Sequence, residues 1–248
     1  KVWVSASMSM LFSKDERFDG IMCFVTNIQG RKQWEKDIKT ALKERGVLLQ
    51  EVNHRVKNNF QLMLSMLRLQ QRRMAKSGAD YAMLDAAAAR LYTMALVHEQ
   101  IYEKQGLVSL HFKQFMRLLV REVSAYAQNC TPQVDFQLED LVLNLDEAIV
   151  CSLILNEWLK NAYQHAFDHV EKPWIGLFFF RESHPEKGAC ITLKVQDNGC
   201  GFEVHTAEKG TGMGVTLSRH WALQLSGTVT ISSGPQGTHC CFSFPKQV

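Results

Sequence analysis

The sequence predicts an α+β protein, a long helical hairpin followed by an α/β sandwich, and two observations carry that prediction. From Arg31 to Lys76 there is no proline and a single glycine, Gly46. Within that stretch Val52, Val56, Phe60, Met63 and Leu67 recur at steps of 4, 4, 3 and 4, one helical face. Beyond Gly106 the pattern changes to short strand-like runs interleaved with three helical ones, as expected for helices packed on one side of a sheet.

In chain order, Val2, Val4, Ala6, Met8 and Met10 alternate with Trp3, Ser5, Ser7 and Ser9, a period of two that predicts a half-buried strand. Ile21–Ile28 reads as a second strand. Two strands are marginal in water, so the pair is expected to be the tail of a larger sheet or to find a partner. A turn at Ser77-Gly78 separates the first long helix from a second, about Ala79 to Lys104, with Leu84, Ala88, Leu91, Ala95, His98 and Ile101 in register. That is an antiparallel hairpin. Each helix has one apolar stripe, and pairing with a second copy into a four-helix bundle would cover what remains. A helix over about Phe112–Ala127 follows, then strands at Gln133–Glu139 and Leu141–Leu145. Asp146 is the expected N-cap of a helix reaching about Asp168. Strands at Trp174–Phe180 and Cys190–Gln196, a helix at Gly214–Leu225, and strands at Thr228–Ser232 and Thr238–Phe244 complete the chain.

The composition excludes several classes. Hydrophobic residues make up 46% and charged residues 21% of 248, ordinary for a globular chain of one large or two modest domains. No apolar run approaches the roughly 20 residues that span a bilayer. The chain begins at Lys1 with no signal-peptide pattern and reads as a piece of something longer. A net charge of +3, from 28 basic and 25 acidic residues without interleaved aromatics, argues against nucleic acid as a partner. Seven cysteines, an odd number with no C-x-x-C pair, suit neither a disulfide framework nor a zinc site and point to a cytoplasmic setting.

Five motifs could carry chemistry. In Glu51-Val52-Asn53-His54-Arg55-Val56-Lys57-Asn58-Asn59, helical spacing puts His54, Asn58 and Gln61 on one face, beside the apolar stripe, with Glu51 one turn before. An exposed neutral imidazole there can act as a nucleophile, with Glu51 accepting its proton and Asn58 holding a phosphoryl oxygen or a water; equally, it is a surface histidine. In Asn156-Glu157-Trp158-Leu159-Lys160-Asn161, Glu157, Asn161, Gln164 and His165 share a face at i, i+4, i+7 and i+8. These side chains suit Mg²⁺ or phosphate, and the apolar neighbours make the helix a buried one in which polar groups need partners. Asp197-Asn198-Gly199-Cys200-Gly201 is either a strand-end turn or a place where Asp197 meets an exocyclic amine while the glycines admit a flat ligand. Gly210-Thr211-Gly212-Met213-Gly214 opens a helix. It is a flexible capped loop or a lid with N–H donors for phosphate, and it matches neither the P-loop nor the dinucleotide fingerprint. Gly237-Thr238 says turn, then strand.

Taken in order, these motifs resemble a sensor histidine kinase, over about Trp34 to Pro245. The run His54-Arg55-Val56-Lys57-Asn58-Asn59 is similar to the H-R-x-K-N box subfamily, related to the HWE kinases. Leu96-Val97-His98-Glu99-Gln100-Ile101-Tyr102 and Asn156 to Phe167 are similar to that subfamily too. The resemblance implies a helical-hairpin dimerisation and phosphoacceptor domain at 33–108. An ATP-binding domain of the gyrase/Hsp90/histidine kinase/MutL superfamily would follow at 109–248. Residues 1–32 resemble the last strands of a PAS domain, in which Asn27 stands where an Asp is common. The roles implied are His54 as phosphoacceptor, Asn161 as Mg²⁺ ligand, Glu157 at the superfamily's general-base position and His165 on the same nucleotide helix. Asp197 would bind the adenine amine, with Gly199 and Gly201 as that wall, Gly210, Gly212 and Gly214 as lid and Thr238 near adenine. Two departures stand out: Arg55 replaces the acid that many such kinases carry after the histidine, and Gln164 replaces a common lysine. The implied reaction moves a phosphoryl group from ATP·Mg²⁺ to His54, with a hinge near Gly106, and then to an aspartate of a response-regulator receiver domain. Two rivals stay open: a degenerate kinase that binds nucleotide or a partner, and an ATP-driven machine working through Glu157 without His54.

Overall fold

The computed structural model describes residues 2–12, 18–76, 82–103, 109–127, 131–184, 188–202 and 213–246. The turn at Ser77-Gly78, the link near Gly106, and Gly210 and Gly212 of the expected lid lie outside the described residues. The chain divides into two compact units, Lys1–His54 and Arg55–Val248.

The first unit opens with an antiparallel pair, β1 (Val4–Phe12) and β2 (Phe18–Asn27). The alternation in β1 predicts one buried face, yet Val4, Met8 and Met10 are as exposed as Trp3. Two strands have no second layer to bury either face against. The Asn27 side chain accepts a hydrogen bond from Gln29 N at 2.9 Å and caps the start of helix α1 (Gln29–Lys76). At 48 residues α1 is about 70 Å long. In this unit it presents Trp34, Ile38, Leu42 and Val52 as exposed apolar side chains, and His54 is exposed as expected.

In the second unit the rest of α1 packs antiparallel to α2 (Ala82–Glu103). Lys57 meets Glu99, Phe60 meets His98 and Gln71 meets Asp85, so the paired numbers rise on one helix as they fall on the other. The buried stripe of α2 holds Ala88, Ala89, Thr93, Leu96, Val97 and Ile101, broader than the sequence register predicts.

A short ribbon, β3 (Leu110–His111) with β5 (Val142–Leu143), flanks α3 (Phe112–Val123). The expected strand at 141–145 is reduced to these two residues. The main sheet contains β4 (Gln133–Leu138), β6 (Trp174–His184), β7 (Gly188–Asp197), β8 (Thr228–Gly234) and β9 (Gly237–Pro245), in the order β4-β6-β7-β9-β8. Only the β4–β6 pairing is parallel. Helices α3, α4 (Leu145–Asn161) and α5 (Met213–Gln224) cover the sheet, as predicted.

Helix α4 starts earlier than expected. Its N-cap is Asn144, not Asp146: Asn144 Oδ1 accepts from Glu147 N at 2.9 Å, and Glu147 Oε2 accepts from Asn144 N at 3.0 Å. That reciprocal box satisfies two donors at once, which Asp146 inside the first turn cannot do. The α-helical pattern ends at Asn161 and continues as a π-turn over Ala162–Ala166.

The core joins Phe112, Phe115, Leu119, Ile154 and Leu155 from the helices to Leu177, Phe179, Leu193 and Phe242 from the sheet. The Phe112 ring lies 4.9 Å from that of Phe179 and 5.8 Å from that of Phe115. Phe112→Ala should therefore cost about 3–5 kcal/mol, read as a lower urea midpoint.

Candidate functional site

The site grows from the end of β7. Asp197, the last residue of that strand, is buried, and its Oδ1 accepts from Gly199 N at 3.0 Å and Thr238 N at 3.1 Å. Among the described residues its Oδ2 has no hydrogen-bond partner. Burial pushes the Asp197 carboxyl above its ordinary value, against the two N–H groups and the nearby His239.

The glycines fit this corner by close approach. A Cβ on Gly199 would lie 2.4 Å from the Ala166 carbonyl oxygen, and Cys200 N donates to that same oxygen at 2.8 Å. Gly201 has φ +68°, and a Cβ there would lie 2.1 Å from the Gly234 oxygen. Gly237, at φ +121°, lies just as close to Asp197 O, so β9 can begin beside the carboxylate. Thr238 is buried, and its hydroxyl lies 3.0 Å from Ser233 Oγ, which accepts from Phe202 N at 2.8 Å.

A second group lies on α4. Glu157 is buried and Asn161 half-buried, and both face the first turn of α5. A Cβ on Gly214 would lie 3.0 Å from Glu157 Oε2 and 3.5 Å from Asn161 Nδ2. The Ala166 carbonyl at the end of the π-turn joins this group to the Asp197 corner. The π-turn also ends the regular spacing that puts Gln164 and His165 on the Glu157 face: His165 is exposed, and its carbonyl accepts from Cys200 Sγ at 3.5 Å. Glu51 and Asn58 are exposed on α1, with His54 between them.

The sequence reading missed one partner. Arg90 of α2 donates from Nε to Glu157 Oε1 at 2.9 Å and from its second guanidinium nitrogen to Oε2 at 3.2 Å. Glu157 is a buried acid in need of a partner, but nothing in the spacing identifies an arginine 67 residues away as that partner.

Asp197 generates a stability prediction. Its carboxyl is held above the ordinary value, so its contribution to stability is fully present below that value and is lost as pH rises through the folded one. Asp197→Asn keeps the Oδ1 acceptor and removes the buried charge. Its melting temperature should match or exceed the parent's at pH 7.5, and the gain should vanish on acidification toward pH 4.

A family model described as "Histidine kinase" matches residues 51–127, and one described as "Histidine kinase-, DNA gyrase B-, and HSP90-like ATPase" matches residues 147–248. The chain is 27% identical over 179 residues to the sensor histidine kinase PdtaS of Mycolicibacterium smegmatis, covering 72% of this chain and 32% of that protein. It is 22% identical over 196 residues to blue-light-activated histidine kinase 2 of Erythrobacter litoralis, covering 77% of this chain and 54% of that protein. The chain thus spans about a third and about half of the length of these two relatives. Its fold is similar to the histidine kinase domain of the Erythrobacter litoralis EL346 blue-light-activated histidine kinase, with a TM-score of 0.57 and 20% identity over 82% of this chain and 93% of that one. With a histidine kinase helical region followed by an ATPase domain of the gyrase and Hsp90 type, the chain belongs to the histidine kinases.

Proposed function

We propose that this chain is the catalytic core of a sensor histidine kinase that binds ATP·Mg²⁺, phosphorylates His54 and passes the phosphoryl group to an aspartate of a response-regulator receiver domain. The observation that carries the reading is Asp197: a buried carboxylate with one oxygen held by two backbone N–H groups and the other without a partner among the described residues, behind glycines pressed against backbone. An acceptor fixed in that way suits the exocyclic amine of adenine, and the flat approach at Gly199 and Gly201 suits its ring. Thr238 lies at the same corner.

Glu157, Asn161 and Gly214 would then line the phosphates, with Gly210 and Gly212 as further contacts. The donor set fits Mg²⁺, because the Asn161 carboxamide oxygen is a hard ligand and this ion usually takes only one or two protein oxygens besides phosphates and water. Bound there, Mg²⁺ would neutralise charge on the β- and γ-phosphates. A ring nitrogen of His54 forms the new bond to the γ-phosphorus, the bond to the leaving ADP oxygen breaks, and Glu51 takes the ring proton, with Asn58 orienting the group. Catalysis of this kind is mostly positioning and charge stabilisation.

The exposed Leu62, Met66 and Leu69 on α1 support a homodimer through the hairpin. Residues 1–32 are the end of a PAS-like sensor, 33–108 the phosphoacceptor hairpin and 109–248 the ATP domain, working in the cytoplasm. Among the described residues no helix is long and apolar enough to cross a membrane.

The test is incubation with Mg²⁺ and ATP labelled at the γ-phosphate. Acid-labile, base-stable label is expected on the parent and none on His54→Ala; label on both would misassign the acceptor. No label on either, with ATP still bound, would favour a degenerate, nucleotide-binding module. Asp197→Asn places an N–H₂ against the adenine amine and should weaken ATP binding about 10- to 100-fold by calorimetry, the loss expected for one hydrogen bond to a charged group.

A further inference from the structure

Helices α2 and α4 meet through two ion pairs of opposite polarity. Along α2 the charges run Asp85 then Arg90; along α4 they run Glu157 then Lys160. Arg90 takes both oxygens of Glu157, at 2.9 and 3.2 Å, and Lys160 Nζ lies 3.2 Å from Asp85 Oδ2. The first pair is largely withdrawn from water, its side chains 17% and 9% exposed, so salt screens it weakly. A bidentate guanidinium–carboxylate pair is the most directional of ion pairs, and two pairs of crossed sign fix the register of one helix on the other. The Arg90 guanidinium also lies 5.8 Å from the centre of the Trp221 ring on α5, the helix that begins beside Glu157 at Gly214. One arginine of the hairpin therefore touches the acid of the nucleotide helix and the helix that follows the glycine-rich loop.

Arg90 takes one lone pair on each oxygen of Glu157 and holds the carboxylate in one orientation against a cation, so that it cannot turn toward the phosphates or a water beside them. We propose that Arg90 is a latch: a positioning residue of the hairpin that holds Glu157 out of use while α2 and α4 are docked and frees it when they part, with Asp85–Lys160 as the second fastener. The latch makes the docked arrangement a resting state and couples opening of the α2–α4 interface to activity at the nucleotide. It rests on the kinase reading for the identity of that activity, but not for the interface itself.

The test compares the parent with Arg90→Ala, Asp85→Lys and the charge-swapped Asp85→Lys/Lys160→Asp. The readouts are γ-phosphate label on the protein, phosphate release, and amide hydrogen exchange across α2. Arg90→Ala and Asp85→Lys should each raise the initial rates roughly three- to tenfold, the usual scale of a coupling between two sites. The double variant should return toward the parent, which mere loss of packing would not produce. Rates unchanged or lowered in Arg90→Ala, with ATP affinity intact, would overturn the latch, as would a charge swap that restores nothing. Should Arg90→Ala not fold, the Asp85 and Lys160 variants decide by the same criterion. Absence of label from every protein would remove the kinase reading and leave the latch to hydrogen exchange. Faster exchange in Asp85→Lys, reversed by the swap, would support it, and unchanged protection would overturn it.

Discussion

The candidate site hangs on one carboxylate oxygen. Asp197 Oδ1 accepts from Gly199 N, two residues on, and from Thr238 N, 41 residues on, and so ties the loop after β7 to the start of β9. Everything around that atom is spaced by backbone. Gly237 can pass Asp197 only without a side chain, Gly201 takes a left-handed φ against Gly234, and Gly199 rests on the Ala166 carbonyl. Burial raises the cost of the Asp197 charge, and the two N–H groups only partly offset it. A stability cost kept beside an oxygen that no described group of the protein uses is what a binding site asks for and a plain turn does not.

The second constraint is α4. It is buried on nearly every side, with Val150, Leu153, Ile154, Leu155 and Leu159 in the core, so its polar residues must be matched by other elements. Its charged residues take their ion-pair partners from a distance: Lys246 for Glu147, Arg90 for Glu157 and Asp85 for Lys160. The hydrophobic burial that holds α4 against the sheet also exposes its opposite, charged turns to α2. The hairpin therefore docks on the helix that carries Glu157. The π-turn after Asn161 lets that helix end with Ala166 pointing its carbonyl at Gly199 and Cys200, and so brings the two halves of the site together.

Much of this was legible in the chain. The stripe Val52–Leu67, the absence of proline from Arg31 to Lys76, and the strand and helix order after Gly106 specify the hairpin and the sandwich, because periodicity reports directly which face is buried. The clustering of Asp197, Gly199, Gly201 and Thr238 was anticipated from motif order. Three features were not. The Asn144–Glu147 box is one of two competing signals, because N-x-x-E at 144–147 overlaps Asp146, a good cap in isolation, and spacing does not choose between them. The shallow exposure of β1 escaped because alternation announces a face to bury, not whether anything is there to bury it. The π-turn escaped because a single residue's change of hydrogen-bond partner has no compositional signature.

By itself, then, the sequence determined the elements, their order, and which side chains had to be polar in a buried helix, since these follow from short-range propensity and periodicity. Only the tertiary structure decided which distant groups satisfy those polar residues: Arg90 for Glu157, Thr238 for Asp197 and Asp85 for Lys160. The physical reason is that a buried charge demands some partner of opposite sign but is indifferent to where that partner lies along the chain. Packing of α2 on α4, and of β9 beside β7, made the choice.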